Sequence, residues 1–235
     1  MAARRKRPRH WLDERAVKPA AILSRAADFI WPRICPVTDC GRPSDRPGRH
    51  ICSACHAKLP FYDLVGDGTG AWALQYAPPA DELILAYKFK GATYLLADFA
   101  DLLAAAVRAR LDADAIDAVV PVPLNIHRLV ERGYNQSALL AKELARRLDR
   151  RFDGSSLKRP RDTEHQTRLD RKKRLKNLRG AFKVVNPGMV RGRTILLVDD
   201  VSTTGSTLDN CQLALEKAGA ARVWRAALAR RTDET

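Results

Sequence analysis

The chain has 235 residues, 46% of them hydrophobic: enough for one large domain, or a core domain with a small module, and too apolar for a disordered tail protein. Lys and Arg number 42 against 27 Asp and Glu, a formal charge of +15 that favours polyanionic partners such as nucleic acid, phosphate-rich metabolites or an anionic membrane surface. No apolar run approaches the ~20 residues of a spanning helix, and the longest candidate, residues 94–107, carries Asp98 and Asp101. Residues 1–10 hold five Lys/Arg with no apolar stretch behind them, which argues against a secretory signal and for a cytoplasmic, reducing location.

In chain order, Ile22, Leu23, Ala26, Ala27 and Ile30 share one face of an expected lead helix over residues 17–31, stopped by Pro32. Residues 35–59 are rich in Cys, Pro, Gly and Arg and too poor in large apolar side chains to fold by burial alone. Residues 60–92 read as a connecting segment, with LILAYKF (83–89) predicted as a strand that turns at Gly91. Residues 93–111 have helical periodicity. Alternating elements follow: a strand over 116–120 ended by Pro121 and Pro123, a helix over 135–148, a polar stretch over 158–183, a strand over 194–198, a helix over 205–218 closed by Gly219, and a strand over 222–228. Strands separated by helices predict an α/β fold with a right-handed parallel sheet, so the organisation reads as a basic tail and lead helix (1–34), a cysteine module (35–59), a connector (60–92) and an α/β domain (93–235).

Two cysteine pairs, Cys35-x4-Cys40 and Cys52-x2-Cys55, stand 11 residues apart. In a reducing compartment four clustered thiols suit tetrahedral zinc before disulfides, and a metal would supply the folding energy the segment lacks. Cys211, alone in a helix, reads as a small core residue.

The strongest local signal is TILLVDDVSTTGST, residues 194–207: an apolar strand, two carboxylates, a hydroxyl-rich turn and a helix start. At the carboxyl end of a parallel strand this is ligand-site geometry, with amides of Thr203, Thr204, Gly205, Ser206 and Thr207 aimed at a phosphate. Asp199 and Asp200 repel phosphate and suit ribose hydroxyls or a Mg²⁺ shell. Read without the rest of the run, the hydroxyl residues are equally a helix cap beside a solvated acidic pair. The run resembles the phosphoribosyl pyrophosphate (PRPP) motif of type I phosphoribosyltransferases, which implies that Asp199 and Asp200 hold the ribose 2′ and 3′ hydroxyls and the 203–207 loop the 5′-phosphate. Enzymes of that class acting on 6-oxopurines carry Asp where this chain has Thr203, which argues against a hypoxanthine or guanine acceptor.

A second segment, residues 119–141, follows the strand that ends at Pro121 and contains RGYNQ. Arg128 and Arg132, with Gly133 relieving the backbone, suit pyrophosphate or are ordinary surface arginines around a helix cap. A third, residues 159–184, is either a basic solvated linker or a lid that closes over a charged ligand. The order PVPL, RGYNQ, then a helix is similar to the ComF family, competence-type proteins with a phosphoribosyltransferase domain. The positions of Thr163, Gln166, Arg171, Lys176 and Asn177 resemble that family's loop, and YKFKG (87–91) resembles another of its elements, in which Lys88 and Lys90 either approach the phosphate site or merely end a strand. A zinc module before the domain fits the same resemblance.

What the resemblance implies is a type I phosphoribosyltransferase-like sheet behind a zinc-ribbon-like module. The ligand is PRPP with Mg²⁺, and Asp199, Asp200 and Arg132 stand at the reacting centre. It also implies a link to natural transformation, with single-stranded DNA and the DNA-uptake machinery at the inner membrane as partners. Either the chain is a glycosyltransferase acting on PRPP, or it is a non-catalytic single-stranded nucleic-acid binder using the same fold.

Overall fold

The computed structural model describes residues 32–62, 70–160 and 181–231; the expected lead helix and the basic start of the chain lie outside them. The helices are α1 (Ser53–His56), α2 (Ala80–Phe89), α3 (Leu96–Arg110), α4 (Ile126–Arg132), α5 (Gln136–Leu148) and α6 (Ser206–Lys217). The strands are β1 (Gly70–Gln75), β2 (Ala118–Pro121), β3 (Arg151–Phe152), β4 (Leu157–Lys158), β5 (Lys183–Val184), β6 (Thr194–Ser202) and β7 (Arg222–Arg230). Five of them form one sheet in the order β1-β7-β6-β2-β3, parallel throughout, while β4 and β5 make a separate antiparallel pair.

The expected α/β architecture with a parallel sheet is present, and its centre explains the unbroken apolar runs. In β6, Leu196 and Val198 bury on the face covered by α3 and α5, while Ile195 and Leu197 bury on the other with Leu208, Cys211 and Leu215 of α6. Cys211 is fully buried, as a small core residue should be. β6 continues past the predicted end at Val198, because Asp199, Val201 and Ser202 stay in register with Ala227, Ala229 and Arg230 of β7. Both strands therefore deliver polar residues at their carboxyl ends.

The segment 83–89 is not a strand. It is the body of α2, in which Leu83, Ile84 and Tyr87 point inward at helical spacing and Leu85 and Phe89 are exposed. Its short apolar run mimics a strand, and Pro79 offers no side-chain cap, so only the acidic first turn of Asp81 and Glu82 marks the start of α2. The connector also supplies β1, the sheet's edge next to β7. A 3₁₀ turn, Thr93–Leu95, precedes α3.

The cysteine module borrows its core. Cys35, Ile51, Cys52, Cys55 and Leu59 belong to the same buried cluster as Tyr87, Leu95 and Phe99. Asp98 of α3 has no exposure and accepts hydrogen bonds from Arg46 Nη1 at 3.0 Å and from the His50 amide at 2.9 Å. Beside it, Asp101 accepts from Arg49 Nε, and from Arg147 Nε at 2.6 Å. Burial opposes its ionisation, but these two guanidiniums hold its carboxyl below the usual range.

Candidate functional site

The four module cysteines converge. Their sulfurs all lie within 4.8 Å of one another, and all four are free thiols. Cys40 Sγ and Cys52 Sγ are 3.8 Å apart, far beyond a disulfide bond. A tetrahedron with metal–sulfur bonds of about 2.3 Å has an edge of about 3.8 Å, so the cage has the size of a Cys₄ metal centre. Burial pushes the Cys55 thiol up to about 12, whereas Arg42 beside Cys40 pulls that thiol down to about 6. Full ionisation of the set thus needs added positive charge at its centre, which a divalent metal ion brings.

The second site lies at the carboxyl ends of β6 and β2. Asp199 Oδ1 accepts from Ser137 Oγ of α5 at 2.8 Å and from the Asp200 amide at 2.9 Å. Burial, and then the adjacent Asp200 carboxylate, push Asp199 up to about 7. Asp200 pairs through Oδ1 with Lys88 Nζ at 2.9 Å. YKFKG is therefore not the end of a strand: Lys88 stands in the last turn of α2 and meets the Asp200 carboxylate, an engagement that neither sequence reading of the segment contained.

Beyond β6 the chain passes exposed Thr203 and Thr204 and enters α6 at Gly205, whose φ of +76° is a left-handed value that few other residues adopt cheaply. Gly205 has no side chain with which to cap α6; the Ser206 amide makes a long contact of 3.5 Å to Thr204 Oγ1, and the two hydroxyls meet at 2.9 Å. Its first-turn amides and the positive end of its dipole face outward with hydroxyls around them, a cradle of the kind that takes an anion.

Arg132 ends α4, followed by Gly133 at φ +75°, which closes the helix. Its Nη1 donates to Gln136 Oε1 at 3.2 Å, and its guanidinium lies 4.5 Å over the ring of Phe89. Burial pulls it below the usual guanidinium range while the Asp200 carboxylate opposes that shift. Arg128 sits exposed one turn earlier on the same helix. Asn135 fastens this corner: its Oδ1 accepts from the Ala138 amide at 3.3 Å, and its Nδ2 donates to the Val122 carbonyl at 3.1 Å.

The structure therefore gathers Asp199, Asp200, Arg132 and Lys88 into one electrostatic group, with the 203–207 loop directly continuous with it. Thr163, Gln166, Arg171, Lys176 and Asn177 lie outside the described residues. Ser137 escaped sequence reading, and Gln136, Tyr87 and Phe89 stood inside the RGYNQ and YKFKG motifs without a role of their own. Only the position of Ser137 directly after RGYNQ, at the start of a helix, could have flagged it.

Among the described residues no helix is long and apolar enough to cross a membrane. Residues 134–235 match the phosphoribosyl transferase domain family. The chain is 34% identical over 207 residues to the DNA utilization protein YhgH of Escherichia coli strain CFT073, covering 86% of each chain. It is 34% identical over 198 residues to Competence protein F of Haemophilus influenzae, covering 81% of this chain and 82% of the other. Against Competence protein ComFC of Bacillus subtilis the identity is 29% over 192 residues, 81% of this chain and 75% of that one. On this likeness the chain belongs to the ComF family, with a type I phosphoribosyltransferase-like fold.

Proposed function

We propose that the protein binds PRPP together with Mg²⁺ at the carboxyl ends of β2 and β6, and that a structural zinc ion on Cys35, Cys40, Cys52 and Cys55 holds its amino-terminal module. The observation that carries the reading is the carboxylate pair Asp199–Asp200 running straight into the hydroxyl-lined start of α6, with Arg132 tied to the same corner through Gln136, which also holds the Lys88 backbone. Acceptor-only oxygens take the ribose 2′ and 3′ hydroxyl hydrogens, and the amides of 203–207 take the 5′-phosphate. Arg132, with Arg128 and Gly133 on the same corner, faces the pyrophosphate, which leaves when a nucleophile bonds to the ribose C1. Mg²⁺ bound to the pyrophosphate would neutralise the leaving group's charge. Thr163, Gln166, Arg171 and Lys176 act as a lid in this reading.

Calorimetric titration of zinc-loaded protein with PRPP and Mg²⁺ tests it. Saturable binding that disappears in Asp199→Asn/Asp200→Asn is the expected result, and folded wild type that takes up no PRPP overturns it.

A second reading, contact with single-stranded DNA in the cytoplasm during DNA uptake, is supported by the +15 charge and by the printed names of the relatives. Backbone binding of this kind loses affinity steeply with salt, unlike a pocket that recognises one sugar phosphate. Binding of single-stranded oligonucleotide that survives the double substitution but falls steeply between 50 and 200 mM salt, with no PRPP uptake, would put this reading first.

A further inference from the structure

The PRPP motif and the RGYNQ corner lie within residues 119–207, but among the described residues the cation paired with Asp200 comes from elsewhere. Lys88 belongs to α2, and its side chain is only 16% exposed. Three successive residues tie that helix end to the RGYNQ corner. The fully buried Tyr87 donates its hydroxyl to the Gln136 carbonyl at 3.0 Å and receives the Tyr134 hydroxyl at its own carbonyl. The Lys88 carbonyl accepts from Gln136 Nε2 at 3.3 Å. Phe89 underlies the Arg132 guanidinium.

The backbone of Lys88 is thus held fast while its ammonium rests on a single carboxylate oxygen. That oxygen already accepts the Val201 amide at 2.6 Å. Arg132 is different. Stacked on Phe89 and bonded to Gln136, its fork is fixed, and its buried Nε has no hydrogen-bond partner among the described residues. A lysine is a point charge on four flexible carbons, so it can leave one oxygen for another within its reach without moving the backbone. A polyanionic ligand arriving here meets two carboxylates that repel it, and the described cations set against them are Lys88 and Arg132.

We infer that Lys88 is a specificity-determining ligand contact: in the ligand-free protein its ammonium occupies Asp200, and it passes to the pyrophosphate of the bound sugar, releasing Asp200 to accept a ribose hydroxyl. This rests on the PRPP reading above. It makes the site select a ligand with an anionic group at C1 over one without, because only such a ligand offers the ammonium a new partner when Asp200 is taken.

The experiment measures calorimetric affinities of wild type, Lys88→Met and Lys88→Arg for two probes, PRPP and ribose 5-phosphate, each with Mg²⁺. Lys88→Met should weaken PRPP by about tenfold or more, the loss of one charge-assisted hydrogen bond. The same variant should bind ribose 5-phosphate as tightly as wild type or tighter, because Asp200 is then free. Lys88→Arg should restore most of the PRPP affinity. Equal loss for both probes would mean a merely structural lysine and overturns the inference, as does undiminished PRPP binding by Lys88→Met. Wild type that binds neither probe fails the PRPP reading itself, and the inference with it. Melting temperature and bound zinc, compared across the three proteins, show that the fold is intact.

Discussion

Asp98→Ala should unfasten the cysteine module from the sheet domain. Asp98 is completely buried and receives the Arg46 guanidinium at 3.0 Å and the His50 amide at 2.9 Å. Deleting one partner of a buried ion pair costs about 3–5 kcal/mol, because the other charge loses its counter-ion without regaining water. Arg46 keeps 20% side-chain exposure and a second bond, 3.0 Å to the Ile51 carbonyl, so part of its charge can be rehydrated. The expected loss is therefore at the lower end, about 3 kcal/mol. For a chain of this size each kcal/mol moves Tm by about 2–4 °C, giving a drop of about 6–12 °C. Asp98→Asn keeps the shape and one acceptor but turns an NH₂ toward one of the two donors, and should lose about half as much. Urea unfolding of the metal-loaded proteins measures both values. Release of metal to a chelator should also quicken, since Arg46 and His50 lie on the loop between Cys40 and Cys52. A loss below about 1 kcal/mol with an unchanged m-value is what an exposed pair gives, and it would refute the clamp.

Stripping the metal should cost the whole protein stability, because Cys35, Cys52 and Cys55 share one buried cluster with Tyr87 and Phe99; an unchanged Tm after full removal would show the thiols to be bystanders. Any single Cys→Ser in the set should reduce zinc, read by atomic absorption, below one ion per chain. Asp199→Asn should stabilise the ligand-free protein increasingly as pH rises. Burial raises the folded carboxyl from 3.8 to about 7, so the stability it contributes is complete below the unfolded value and is lost as pH climbs through that window. Tm measured against pH should show the variant pulling away from wild type between about pH 4 and 7, by at most about 1.4 kcal/mol per pH unit, and running parallel above; parallel curves throughout would refute the burial of this group. Gly205→Ala meets no close neighbour, its nearest contact being Asp209 Oδ2 at 3.7 Å, so it should cost only the left-handed backbone strain, about 1 kcal/mol in urea unfolding.

The sequence made the carboxyl half of the fold legible because its local signals agree with one another. β6 is an uninterrupted apolar strand, Gly205 and Gly219 bracket α6, and Leu140, Leu144 and Leu148 keep a strict inward stripe along α5. The amino-terminal half failed where periodicity was too short to decide. In LILAYKF, Leu83, Leu85, Tyr87 and Phe89 fit an alternating strand while Leu83, Ile84 and Tyr87 fit a helix face, and the helix is chosen by tertiary burial of the second set. β1, reading GAWALQ, is buried over its first five residues and so shows no alternation at all. Asp98 looked like a mere interruption of an apolar helix, because its partner Arg46 lies 52 residues away and no local pattern announces it. The candidate site divides in the same way. Asp199, Asp200, the 203–207 loop and the cysteines stand in compact motifs, whereas the contacts of Ser137, Gln136 and Lys88 depend on which helix ends the sheet brings together.

α2 carries Glu82, hydrogen-bonded by Thr38 Oγ1 of the cysteine module at 2.5 Å, and two turns later Lys88, paired with Asp200. At 1.5 Å of rise per residue these contacts are about 9 Å apart on one rigid element. The exposed Thr38–Glu82 bond is itself weak, since hydrogen bonds that compete with water contribute little. The stronger tie is the shared core, in which Ile51 and the cysteines pack in one cluster with Tyr87, the residue that anchors α2 to Gln136. A module too small to bury a core of its own thus completes the core beneath the helix that presents Lys88. A zinc ion on the four cysteines would then support the proposed ligand site through this shared core. The place to see this is the ribose 5-phosphate and PRPP affinities of Asp98→Ala: loosening the module should weaken PRPP more than ribose 5-phosphate, in the same sense as Lys88→Met, whereas a module that only adds general stability would leave their ratio untouched.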